Sequence, residues 1–321
     1  MGTNTDTGTP VVLLTGGLGN QLFQVFAGLS MSRTGNLYVD GSLGNPRKSK
    51  NGLPEIFQFS IEKYIQLLPT RKINFFVQKL GNFAIRLSSN QGLKHSFLDI
   101  RSLILNIVQS RLSKNYSSGR KVSISEGVGF DPKWKKPTAD VFAIGYFQSF
   151  RWCESPQALK FVSELKLSQD DLKLKEFKVW ANEESPLILH LRLGDYVKDK
   201  KIGVLDIKYY EEAVRELWKE EKYKKIWIFS DDPDRAKFLL SDWILEKARW
   251  ITSHQDSAAI TLEIMRYGTG YVISNSTFSW WGAYLSYSEV PKVIAPTPWF
   301  KAMPEPKDLI PGFWLRRSGW E

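Results

Sequence analysis

Short apolar runs closed by glycine or polar clusters alternate with stretches whose apolar residues recur every three or four positions. Val11-Val12-Leu13-Leu14, ended by Gly16-Gly17, predicts a buried strand entering a tight loop. From Gln21 to Arg33 the spacing is helical, with Leu22, Phe23, Phe26 and Leu29 on one face. Leu37-Tyr38-Val39-Asp40 predicts the next strand, and strand, glycine loop, helix, strand is the opening of a doubly wound α/β lobe. Residues 46–120 mix basic, polar and apolar positions with Gly and Ser breaks, and predict helices and loops rather than sheet. Val141 to Tyr146 reads as another buried strand, leading to Gln148, Phe150 and Trp152.

The second half alternates more cleanly. Ser168 to Ser185 is charged and helical in character and suits a crossing between lobes. Strands are predicted at Leu187–Leu191, Lys225–Phe229, Trp250-Ile251, Gly270–Ile273 and Lys292–Ala295. Helices are predicted between them at Tyr209–Glu220, Pro233–Leu240, Ala258–Tyr267 and Phe278–Leu285. This alternation means a parallel sheet covered on both faces, with ligands at the carboxyl ends of its strands.

Composition narrows the picture little. The 321 residues suit two α/β lobes rather than one core. No run of about 18 apolar residues occurs, so no spanning helix is predicted. Met1 to Pro10 is polar and reads as a disordered leader. Cys153 is alone, which excludes an internal disulfide and a multi-cysteine metal site. A cytoplasmic location is expected. The net charge of +10 suits phosphate-bearing partners, an anionic membrane surface or nucleic acid without choosing among them.

Four segments place polar residues where strands end. In Gly16-Gly17-Leu18-Gly19-Asn20-Gln21 the glycines permit close backbone approach, and the helix start offers N–H groups to an anion. Asn20 and Gln21 can hydrogen-bond sugar or phosphate oxygens. In His190-Leu191-Arg192-Leu193-Gly194-Asp195, Arg192 can grip a diphosphate, or simply pair with Asp195. His190 can face a ligand or be a satisfied core residue. Ser230-Asp231-Asp232-Pro233-Asp234 can bind a ribose diol or a guanine edge, hold a metal through Asp232 and Asp234, or cap the following helix. Ser274-Asn275-Ser276-Thr277-Phe278-Ser279 is a hydroxyl-rich turn into a helix, a phosphate cradle without glycine.

Taken together, GGLGNQLFQ near the start, GYFQS at Gly145, HLRLGDY at His190, FSDDP at Phe229 and SNSTFSWWGA at Ser274 resemble the α-1,2-fucosyltransferases of glycosyltransferase family 11. The motifs stand in the family's order between residues 11 and 300. The resemblance implies an α/β, GT-B-like fold: two Rossmann-type lobes with the donor site in the cleft between them. It implies residues 11–170 as an acceptor-side lobe, 171–300 as a GDP-fucose-binding lobe, and 301–321 as a tail packing back on the protein. It implies inverting transfer from GDP-β-L-fucose to the 2-hydroxyl of a terminal β-galactoside, whether lactose, an oligosaccharide or a lipid-linked glycan, with no cofactor and no metal. Carried over by motif, Arg192, Asp195 and Asn20 are the catalytic candidates. Gly17, Gly19, Gln21, His190, Ser230, Asp231, Asp232, Asp256 and the run Ser274, Asn275, Ser276, Thr277, Phe278 and Ser279 are the donor-binding ones. Gln148 and Trp281 are acceptor candidates. Thr261 stands where relatives often carry an acidic residue on the helix before the last motif, and Asp256 lies one to two turns earlier.

Other readings predict other features. A different fucosyl linkage would use the same donor motifs. A dinucleotide-dependent oxidoreductase would need a third glycine where Leu22 stands. A nucleic-acid binder would gather its cations on one surface, whereas clusters such as Lys133-Lys135-Lys136 and Lys198-Lys200-Lys201 are scattered, so no nucleic-acid partner is expected. Such clusters equally suit the rim of a donor site or peripheral contact with the inner face of a membrane.

Overall fold

The computed structural model describes residues 9–89, 98–116, 120–135, 140–168, 172–251, 257–306 and 308–320. The chain divides into two compact units, Met1–Ser168 with Pro306–Leu309, and Gln169–Glu305 with Ile310–Glu321.

The first unit runs β1 (Val11–Leu13), α1 (Leu18–Met31), β2 (Leu37–Asp40), β3 (Ile65–Leu67), α2 (Phe75–Ser89), α3 (Leu98–Asn115), β4 (Lys121–Ile124), β5 (Val141–Ile144) and α4 (Pro156–Glu164). Its sheet has the order β3-β2-β1-β5-β4 and is parallel throughout. Strands β1 and β5 lie inside it and are buried at every position, which is why they read as unbroken apolar runs. The sheet-free reading of 46–120 is corrected by β3. This edge strand of three residues buries only Ile65 and takes its register from β2, so no pattern of its own betrays it. Val77 and Ala84 of α2 and Leu105, Val108 and Leu112 of α3 cover one face of the sheet, against Val11, Leu13, Val122, Ile124, Phe142 and Ile144.

The second unit runs α5 (Leu172–Glu184), β6 (Leu187–Leu191), α6 (Ile207–Trp218), β7 (Ile226–Ser230), α7 (Pro233–Leu239), α8 (Asp242–Leu245), β8 (Ala248–Trp250), α9 (Ala258–Met265), β9 (Gly270–Val272), α10 (Thr277–Tyr284), β10 (Lys292–Thr297) and β11 (Leu315–Ser318). All its strands are parallel, in the order β11-β10-β9-β6-β7-β8. From β6 the chain winds outward through β7 and β8, then returns to β9 on the other side and winds outward through β10 and β11. That is the strand order of a dinucleotide-type Rossmann sheet, with its topological switch point between β6 and β9. Helix α6 begins where Asp206 accepts the Lys208 N–H, and buries Tyr209, Tyr210, Ala213, Val214 and Leu217. Leu187, Leu189 and Leu191 of β6 are fully buried in the same core, each contributing about 1.5–3 kcal/mol. The chain thus forms the two α/β lobes with parallel sheets that its sequence predicts. Among the described residues no helix is long and apolar enough to cross a membrane.

Candidate active site

The switch point of the second sheet gathers two of the four segments. Alternation along β6 turns His190 to the face opposite the leucines. There it is 5% exposed, with Nδ1 2.8 Å from Ser274 Oγ and its ring 6.0 Å from that of Phe278. Burial, with the Arg192 charge second, pushes His190 down to about 3, so the ring is neutral near pH 7 and serves as a hydrogen-bonding group rather than an acid.

The unfolded chain binds a proton on His190 below its ordinary value of 6.5, whereas the folded chain does so only near 3. Stability is therefore complete above 6.5 and is lost as pH falls through that window, at up to about 1.4 kcal/mol per pH unit. Denaturation of wild type and His190→Asn at several pH values should show the wild-type curve falling more steeply toward acid. Parallel curves would refute the assignment.

Arg192 follows the end of β6. Its Nε lies 3.3 Å from Asp231 Oδ2, its guanidinium lies over the Tyr196 ring at 5.2 Å, and both partners of the ion pair are about one-fifth exposed (20% and 21%). The pair is thus desolvated enough to matter yet open to a ligand. The side chain of Asp195, the partner considered from sequence, lies outside the described residues. Asp231 does more than pair with Arg192: Oδ1 accepts the Leu193 N–H at 2.7 Å and Oδ2 the Gly194 N–H at 3.1 Å. A Cβ on Gly194 would stand 2.7 Å from that Oδ2, so glycine is what lets the carboxylate close on the backbone. Arg235 completes the brace by donating to the Leu193 carbonyl at 2.9 Å. Sequence reading missed Arg235, and its place in the first turns of α7, beside the FSDDP motif, was the available signal.

The neighbouring strand end leads into α10. Ser276 caps it, its Oγ accepting the Phe278 N–H at 3.3 Å. Ser274 and Ser279 are fully buried and hydrogen-bond each other at 3.3 Å, and Asn275 Nδ2 donates to the carbonyls of Ile202 and Gly203. The cradle of ligand-facing hydroxyls is corrected accordingly. The buried hydroxyls brace the turn, while Thr277 and Phe278 at the start of α10 are left half-buried.

The remaining acidic candidates have local uses. Asp232 caps α7 by accepting the Arg235 N–H at 3.1 Å, and Ser230 Oγ accepts the Asp232 N–H at 3.1 Å. Asp234 is exposed and lies 3.8 Å from Lys237. No three His, Cys, Asp or Glu side chains form a metal-binding group among the described residues. Asp256 lies outside the described residues. Thr261 donates its hydroxyl to the Ser257 carbonyl at 2.9 Å.

In the first unit β1 and β5 are neighbours in the sheet, so the glycine loop that follows β1 and the GYFQS segment that follows β5 meet at their carboxyl ends. Gly16 has a φ of +73°, and a Cβ there would stand 2.6 Å from Asn20 Nδ2. Gly17 caps α1 and Gly19 is buried in its first turn. The free helix start inferred from sequence is corrected. Glu55 is buried, and its Oε2 accepts the Leu18 N–H at 2.7 Å, so the chain supplies its own anion. Burial raises the Glu55 pKa, while Arg47 and the Leu18 N–H pull it back.

Gln21 is corrected as well. It is fully buried, with Nε2 donating to the Gly16 and Arg47 carbonyls and Oε1 accepting the Ile56 N–H, which locks the loop and leaves no donor for a sugar. Asn20 Oδ1 accepts from Gln148 Nε2 at 3.1 Å, and the buried Gln148 Oε1 has no protein partner. Gln24, another residue missed from sequence, ties the loops together by accepting the Thr15 N–H and donating to the Gly145 carbonyl. Trp281, an acceptor candidate, is fully buried against Trp280 and Tyr284 and packs the second unit instead.

The family model described as "Glycosyl transferase family 11" matches residues 11–305. An Escherichia coli protein named "Alpha-1,2-colitosyltransferase" is 26% identical over 307 residues, covering 91% of this chain and 92% of its own. The E. coli "O-antigen biosynthesis glycosyltransferase WbnK" is 32% identical over 129 residues, 38% of this chain and 42% of its own. Among solved structures, fucosyltransferase NodZ from Bradyrhizobium matches with a TM-score of 0.42 and 13% identity, over 87% of this chain and 93% of that one. POFUT1 in complex with GDP matches with a TM-score of 0.46 and 14% identity, over 91% and 98%. On the strength of the family match, this chain belongs to glycosyl transferase family 11.

Proposed function

We propose that the protein transfers L-fucose from GDP-β-L-fucose to the 2-hydroxyl of a terminal β-galactoside, with inversion and without a metal ion. The observation that carries this reading is the topology: Arg192 follows β6 and the start of α10 follows its neighbour β9, on the two sides of the switch point. In the reaction the bond from fucose C1 to the β-phosphate oxygen breaks as C1 bonds to the acceptor O2. GDP takes the bonding electrons, and the O2 proton leaves to a base or to solvent. Charge grows on the diphosphate, and fixed cations and N–H dipoles stabilise it where they already point at it. Arg192 and the first turn of α10 have that role, while His190, Ser274 and Ser279 hold the two strand ends together. Asp231 and Asp232 act through the loops they brace. Asn20 and Gln148, hydrogen-bonded to each other, are the acceptor-side groups.

The name of the relative that spans most of the chain supports the 1,2 linkage and raises a second reading, in which the sugar moved is colitose. Colitose is fucose without its 3-hydroxyl. A site that hydrogen-bonds that hydroxyl favours fucose strongly, whereas one that only packs against the ring discriminates weakly.

The test is incubation with GDP-fucose and lactose, with and without a chelator, and NMR of the product. The expected product carries an α-fucosyl group on galactose O2 at a rate the chelator leaves unchanged. A different linkage, no transfer, or transfer lost on chelation overturns the proposal. Competition between GDP-fucose and GDP-colitose decides the sugar.

A further inference from the structure

We infer that the outer face of α2 and α3 is a docking surface for an anionic phospholipid bilayer, independent of which sugar the protein transfers. Helix α2 buries Val77, Gly81, Ala84 and Ser88, an i, i+4, i+7, i+11 stripe, so its opposite side is fixed outward. That side carries Phe75, Phe76, Lys79, Phe83 and Arg86, with Phe75 75% and Phe76 56% exposed. Helix α3 repeats the arrangement. It buries Leu105, Val108 and Leu112 on the same sheet face and exposes Leu103 (60%), Ile107 (45%), Arg111 and Lys114. Because α2 and α3 pack against each other, these side chains share one outward face, and an apolar face of that kind marks an interaction surface.

Charge identifies the partner. Between Arg71 and Tyr116 the sequence holds eight Lys and Arg residues and one acidic residue, Asp99. Lys79 Nζ lies 4.4 Å over the Phe75 ring, an aromatic with a cation beside it, as at a bilayer interface. A folded protein partner would have to supply many carboxylates, and a single-stranded nucleic acid would gain from the aromatic rings but not from Leu103 or Ile107, which have no stacking face. A bilayer answers both features, since its headgroups neutralise the cations and its acyl region takes the aromatic and aliphatic tips.

The test is co-sedimentation of the whole chain with vesicles of phosphatidylglycerol and phosphatidylcholine, against phosphatidylcholine alone, with no donor present. Binding to the anionic vesicles only, weakened by salt, is expected. Lys79→Gln with Arg86→Gln should lower the partition coefficient by roughly thirtyfold, at about 1 kcal/mol per cation. Phe75→Ser with Phe76→Ser should lower it at least as far, with the melting temperature unchanged in both variants. No selective binding to anionic vesicles, or variants that bind like wild type, would overturn the inference. So would tighter binding to a single-stranded oligonucleotide, or a wild-type dimer that the Phe substitutions dissolve without any vesicle binding. Because no donor enters the assay, its failure would leave the transferase reading untouched.

Discussion

Replacing Arg192 by Ala is expected to slow fucosyl transfer by about a hundredfold or more, equivalent to about 3 kcal/mol of transition-state stabilisation. The side chain stands past the last residue of β6, one-fifth exposed, where a leaving diphosphate would develop charge. Asp231 would still accept two backbone N–H groups in its absence, so the loop and the fold should survive. Arg192→Lys should recover only part of the rate, because an ammonium lacks the planar fork that meets two phosphate oxygens at once. Steady-state kinetics alongside a melting curve check this, and activity within severalfold of wild type would refute the role.

The second large effect is expected at Asp231. Asp231→Ala removes the acceptor for the Leu193 and Gly194 N–H groups and the ion-pair partner of Arg192 in one step. Leaving such groups unpaired costs about 1–3 kcal/mol each. Turnover should fall by roughly tenfold to a hundredfold, since the guanidinium loses its orientation, and the melting temperature by several degrees. Asp231→Asn, which keeps one acceptor oxygen, should lie between. The two substitutions differ diagnostically. Loss of Arg192 should spare stability, whereas loss of Asp231 should lower both stability and rate. An Asp231→Ala protein that keeps full activity would show that the brace is dispensable.

Much of this was legible in the sequence, for identifiable reasons. Strands β1, β5, β6 and β7 are buried on both sides, so each appears as an apolar run that needs no tertiary information. Strands β3 and β11 were not legible, because edge strands of three or four residues are defined by the partner they pair with. The strand order that creates the switch point between β6 and β9 is likewise a long-range fact.

The motifs marked the turns where polar residues gather but not the work of each side chain. Gln21, Ser274 and Ser279 have the chemistry of ligand contacts, yet their hydrogen bonds are made inside the protein, and Trp281 is core. Glu55 escaped notice because it lies thirty-seven residues from the N–H group it caps. Asp231 was singled out for a nucleoside, and its bonds to Leu193 and Gly194 depend on two strands being neighbours in space. Residue type and local pattern reveal where polar groups collect, whereas which of them are already satisfied depends on contacts far apart in the chain.

The most direct measurement of the central claim is a crystal structure of the protein with GDP, grown without divalent cations. Arg192 should lie within hydrogen-bonding reach of the β-phosphate, with backbone N–H groups at the start of α10 turned toward the same anion and His190 still bonded to Ser274. A nucleotide seated away from the ends of β6 and β9, or a diphosphate that orders only when a metal ion is added, would contradict it.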